Sequence, residues 1–179
     1  MRHFTPKSIY TAAWKRAILV IVIVLVCSVQ MICAQIPSVK LKDIDGKTID
    51  TATLSNDGRP FIISFFATWC KPCNRELKAI SEVYPDWQDE TGVRLIAVSI
   101  DEAQNVHKVK PMVNAAGWEY QVLLDPNGDF RRAMGVNLIP HVFIIDGKGK
   151  IVESHSGYTE GGEQHLIEVV RTLEKEREK

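Results

Sequence analysis

Residues 61–76 read FIISFFATWCKPCNRE, and the fold turns on how this stretch divides. Phe61 to Phe66 form an apolar run whose one polar residue is Ser64, the pattern of a central strand covered on both faces. From Cys73 onward, Leu77, Ile80, Val83, Tyr84 and Trp87 recur at three- and four-residue spacing, which predicts an amphipathic helix packed on that strand. Cys70 and Cys73 therefore fall where a buried strand gives way to a helix.

A Cys-x-x-Cys pair at such a junction has a physical rationale. Unpaired N–H groups and the positive end of the macrodipole at a helix N-terminus stabilise a thiolate. Lys71 adds a positive charge, and Pro72 is tolerated in the first turn and stiffens the spacer. This reading makes Cys70 the attacking sulfur and Cys73, one turn further in and shielded, the resolving one. Three other uses compete. A structural zinc takes four ligands, but no second cysteine pair follows residue 73, and His107, His141, His155 and His165 lack ligand spacing. A purely structural disulfide closing so small a loop removes little unfolded-state entropy. Two inert thiols would not need a helix start. Redox chemistry is the use favoured by a Cys-x-x-Cys beside a βαβ pattern.

Outward from the pair, the chain alternates strands and helices. Upstream, Val39, Leu41 and Ile44 alternate with polar residues around Asp45-Gly46, as in a short edge hairpin. Downstream, Arg94 to Ile100 reads as a second buried strand. Ala103, Val106, Val109 and Val113 then read as a helix that Pro111 kinks or divides. Tyr120 to Leu124 is a third strand closed by Asp125-Pro126-Asn127-Gly128, and Phe130 to Met134 a short helix ended by Gly135. HVFIID and KIVESH flank Gly147-Lys148-Gly149 as an antiparallel hairpin, and a closing helix from about Glu163 aligns Leu166, Val169, Val170 and Leu173 before a solvated, frayed tail, LEKEREK. The class is α/β, with parallel crossovers and one antiparallel pair.

The N-terminus follows different rules. A basic stretch ending in Lys15-Arg16 runs into the uncharged segment Ala17 to Cys33, the layout of a signal peptide or of an N-terminal membrane anchor over residues 1–34. Both imply export, where disulfides persist. Cys27 and Cys33 read as apolar filler, so Cys70 and Cys73 are the cysteines left to the domain at 35–179. Of 22 Lys and Arg, four precede residue 35, leaving 18 against 22 acids, a net of −4. A mildly acidic domain is a poor nucleic-acid binder.

Phe65 to Cys73, followed by Glu76, resembles the signature of the exported or membrane-associated thioredoxin-fold reductases of the TlpA/ResA type. LKDIDGKTI, VSIDE, LLDPNGD and GVNLIPHVFIIDGKGKIV extend the resemblance over nearly the whole domain. It implies a thioredoxin-like fold, a central mixed sheet flanked by helices with an N-terminal hairpin extension. It also implies a disulfide reductase of the cell envelope that needs no metal or cofactor. Substrates would be protein disulfides, in an apocytochrome awaiting cytochrome c maturation, an envelope protein or another oxidoreductase, and a membrane electron donor would restore the dithiol. The resemblance makes Pro140 a cis-proline that offers the Ile139–Pro140 backbone to substrate, Glu76 an acid that tunes the thiols, and Trp69 the indole beside the reactive sulfur. Alternatives to these roles are a trans proline at an edge, an exposed first-turn glutamate and a core tryptophan.

Departures from the pattern matter too. Ser64 stands where thioredoxin has a buried aspartate, Lys78 where TlpA/ResA proteins often have proline, and His141 where threonine is common. Lys78 implies a straighter helix, and Ser64 leaves proton transfer to Glu76. Two other functions share the scaffold: a copper- or haem-handling chaperone using the cysteines with His141, and a peroxiredoxin-like peroxidase. The first tends to have three residues between its cysteines, and the second needs a Pro/Thr frame that is missing here.

Overall fold

A computed structural model describes residues 35–178. The signal or anchor expected over residues 1–34 lies outside the described residues. Seven strands form one sheet: β1 (Lys40–Asp43), β2 (Thr48–Asp50), β3 (Phe61–Phe66), β4 (Arg94–Ser99), β5 (Gln121–Leu124), β6 (His141–Ile145) and β7 (Ile151–Ser156). Their spatial order is β2-β1-β5-β4-β3-β6-β7. β3 runs parallel to β4 and antiparallel to β6, so the sheet is mixed and the run FIISFF is central, every residue of it buried. The helices are α1 (Lys71–Thr91), α2 (Val109–Ala116), α3 (Asp129–Ala133) and α4 (Glu163–Arg177). This is a thioredoxin-like fold, and β1 and β2 pair antiparallel as its N-terminal hairpin.

The core follows the periodicities that built the elements. α1 buries Leu77, Ile80, Tyr84 and Trp87 on one stripe, each worth roughly 1.5–3 kcal/mol of transfer free energy. Phe65 on β3 stacks against Phe130 of α3 at 5.4 Å and Phe143 of β6 at 6.1 Å between ring centroids. α1 ends at Gly92, whose φ of +65° forms a left-handed cap that donates to the Gln88 carbonyl.

Two local expectations are corrected. Ala103 to Asn105 turn rather than coil, and a 3₁₀ turn at Val106–Lys108 leads into α2 at Val109. Pro111 thus sits in the first turn of α2, where a missing N–H costs nothing, and the division falls before it. Pro85 lies inside α1 on its exposed side, where solvent replaces the donor it lacks. The tail is not wholly solvated: α4 runs to Arg177, and Glu174 is buried and paired with Arg177 at 2.7 Å.

Candidate active site

Strand register builds the site. β3 and β4 pair Phe66 with Ser99, and Ile100 N–H donates to the Phe66 carbonyl at 2.8 Å, so the segments leaving both strands start side by side. The first of these, Ala67 to Trp69, delivers Cys70 to the N-cap of α1, and Pro72 occupies the first turn. Cys70 and Cys73 are joined by a disulfide, with Cα atoms 5.3 Å apart. Cys70 Sγ accepts from the Cys73 N–H at 3.3 Å, the cap contact that stabilises a thiolate when the disulfide opens. Cys70 is 5% exposed and Cys73 0%, so the first sulfur is less open than the sequence suggests. Trp69, at 63% exposure, is a surface group beside the disulfide rather than core.

Glu76 is no exposed first-turn glutamate. It lies one helical turn beyond Cys73 on the buried stripe and is 1% exposed. Burial pushes its carboxyl up to about 7, opposed by a hydrogen bond from Ser64 Oγ at 3.3 Å and assisted by the negative charge of Glu163. The serine that replaces thioredoxin's aspartate thus touches the acid expected to stand in for it. Glu76 also lines a cleft of about 480 Å³ shared with Glu153, His155, Tyr158 and His165.

The Ile139–Pro140 peptide is cis. Ile139 is half-buried, Leu138 beside it is exposed, and the Pro140 carbonyl accepts from Gly157 N–H at 2.8 Å. His141 follows at the start of β6. Its ring nitrogens lie 2.9 Å from Ser154 Oγ and 2.8 Å from Ser156 Oγ, and its ring packs 4.5 Å from that of Phe143. Burial, with His155 second, lowers its pKa. A histidine with both nitrogens engaged is badly placed to serve as the third ligand of a copper site. No cluster of three or more His, Cys, Asp or Glu suited to a metal ion occurs among the described residues.

Sequence reasoning missed a second buried acid at the site. Asp101 is fully buried behind the cysteine loop, where it accepts from the N–H and hydroxyl of Thr68. No local pattern marks it, because its partner lies 33 residues away in the sequence.

The AhpC/TSA family model matches residues 32–154. A thiol-disulfide oxidoreductase ResA of Bacillus thuringiensis (strain Al Hakam) is 36% identical over 121 residues, which are 68% of this chain and 67% of that protein. The solution structure of an uncharacterized thioredoxin-like protein from Porphyromonas gingivalis is 70% identical and superimposes with a TM-score of 0.71, covering 80% of this chain and 94% of that one. The crystal structure of StoA from Bacillus subtilis, at 24% identity and a TM-score of 0.59, covers 75% of this chain and 98% of its own and shares the fold. With a disulfide at the start of α1, the chain belongs to the AhpC/TSA family as a thioredoxin-fold thiol-disulfide oxidoreductase similar to ResA.

Proposed function

We propose that residues 35–179 form an exported domain that reduces disulfides of cell-envelope proteins, with residues 1–34 serving as its signal peptide or membrane anchor. The observation that carries this reading is the disulfide at the N-cap of α1 with a buried acid one turn beneath it. In the dithiol form, the Cys70 thiolate attacks one sulfur of the substrate disulfide. A Cys70–substrate mixed disulfide forms, and the first substrate thiolate leaves. Cys73, losing its proton to Glu76, then attacks Cys70 Sγ; the Cys70–Cys73 bond re-forms and the second substrate thiolate leaves. Two electrons have passed to the substrate, and a membrane dithiol donor returns them by the reverse exchange. Glu76 suits the role of proton acceptor because a carboxyl near pH 7 exchanges protons at little cost at neutral pH.

Pairing of substrate backbone is assigned to Ile139 beside Pro140, since the Pro140 carbonyl is already taken by Gly157. Trp69 then lies exposed against the incoming segment. No helix among the described residues is long and apolar enough to cross a membrane, so any anchoring falls to residues 1–34.

Trapping tests the reading. Cys73→Ala should accumulate mixed disulfides on Cys70 with envelope proteins, resolved by non-reducing electrophoresis. Equal trapping by Cys70→Ala would overturn the assignment of Cys70 as nucleophile, and trapping by neither would remove the reductase reading.

A further inference from the structure

We infer that Asp101 is a positioning residue for Cys70, acting through Thr68, so that the nucleophile stays at the helix N-terminus whether or not the disulfide is closed. This inference rests on the assignment of Cys70 as nucleophile.

Between the end of β3 and Cys70 run three residues, of which Ala67 contributes a carbonyl to Cys70 N–H at 3.0 Å and Trp69 points into solvent. Thr68 is the one whose polar atoms are all engaged. Its N–H donates to Asp101 Oδ2 at 2.8 Å and its hydroxyl to Asp101 Oδ1 at 2.6 Å, while its carbonyl accepts from Asn74 Nδ2 at 3.0 Å. Asp101 is itself fixed. Ser99 Oγ donates to Oδ2 at 2.9 Å and accepts from the Asp101 N–H at 3.1 Å. The loop is thus pinned from β4 on one side and from α1, one residue beyond Cys73, on the other. Neither contact passes through the S–S bond, so both survive its reduction. A carboxyl held between two donors of one residue restricts both the position and the rotation of that residue, and so the direction in which the next two leave it.

The consequence is chemical. The Cys70 thiolate depends on its alignment with the Cys73 N–H and the helix end, an interaction that fades within a turn. A loop that drifts once the disulfide opens would lose it. Charged or titratable groups nearest Cys70 along the elements that meet there are Lys71, Cys73, Arg75 and Glu76 on α1, Asp101 after β4 and His141 at the start of β6. A test must leave all of these in place.

Thr68→Val does so, removing the hydroxyl while keeping the side-chain shape and the Asp101 charge. The measurement is the pH dependence of iodoacetamide alkylation at Cys70 in the reduced full-length chain, read by mass spectrometry. In Thr68→Val the profile should move to higher pH, with about tenfold less thiolate at neutral pH, while Thr68→Ser keeps the parent profile. A Thr68→Val profile that coincides with the parent, even in a less stable protein, would overturn the inference and leave Asp101 a purely structural acid. Should Thr68→Val fail to fold, Thr68→Ala, which adds no new methyl group, is judged by the same two outcomes. Preferential alkylation of Cys73 in the parent would instead sink the nucleophile assignment, a result distinguishable from failure of the clamp.

Discussion

Glu76 and Asp101 lie at the same end of the sheet and are equally hidden, at 1% and 0% exposure, yet their surroundings differ. Asp101 accepts three hydrogen bonds, two from Thr68 and one from Ser99, at 2.6–2.9 Å. Glu76 accepts one, from Ser64 at 3.3 Å, and faces the negative charge of Glu163. Burial without compensating donors disfavours the charged form, so Glu76 holds its proton up to about pH 7. One acid is held by three donors as an anchor, and the other, with one, has its carboxyl pushed up by burial. Identical burial therefore says little about role, and the number of donors within reach says a good deal.

The largest effect expected from breaking this contrast is on the anchor. Asp101→Ala leaves the Thr68 N–H, the Thr68 hydroxyl and the buried Ser99 hydroxyl without their acceptor. Each unmade bond costs roughly 1–3 kcal/mol and some water will enter, so a loss of about 3–5 kcal/mol is expected in urea unfolding of the oxidised protein. A loss below about 1 kcal/mol would mean that other contacts hold the loop.

Glu76 should respond with the opposite sign. Its folded pKa is raised from 4.5 to about 7, so below pH 4.5 both folded and unfolded states are protonated and burial carries no ionic penalty. Between pH 4.5 and 7 the native state binds the extra proton, and stability falls as pH rises, by about 3 kcal/mol once pH 7 is passed. Glu76→Gln, which cannot ionise, should remove this decline and be the more stable protein at pH 8. It should also slow disulfide exchange by roughly 10²-fold and erase the limb near pH 7 from its rate profile. Unfolding at pH 5 and pH 8 tests the first claim and stopped-flow exchange the second. A Gln variant with the parent's pH-dependent stability would place the titrating group elsewhere.

Much of this site is legible in one dimension. FIISFF announces a strand covered on both faces, the 3–4 spacing after Cys73 announces α1, and together they put the cysteines at a helix start. Glu76 was ambiguous because a first-turn glutamate also complements a helix dipole, although helical phase argues for burial: it follows Cys73 by three residues and precedes Ile80 by four. Asp101 was not legible. Its partner is 33 residues away, and the two meet because β3 and β4 run parallel with Phe66 opposite Ser99, which puts Thr68 and Asp101 each two residues beyond a matched pair. No local pattern encodes that register. For Trp69 the resemblance pointed to an indole beside the reactive sulfur and hydrophobicity alone pointed to core; its 63% exposure removes the core alternative.

The smallest predicted effect sharpens the comparison at its weaker side. Ser64→Ala removes the hydrogen bond that favours the ionised form of Glu76 and leaves the acid's burial unchanged. The folded pKa of Glu76 should then rise further above its ordinary value, since the opposing contribution is gone while desolvation remains. At pH 5, where the carboxyl is protonated in the fold, Ser64→Ala should change stability by only a few tenths of a kcal/mol. At pH 8 the loss should be about 1 kcal/mol, the net worth of one hydrogen bond to a charged group at this length. The exchange-rate profile should shift alkaline with it. If Ser64→Ala shifts neither the profile nor the difference between the two pH values, the 3.3 Å contact does not tune Glu76, and burial with the charge of Glu163 sets its behaviour alone.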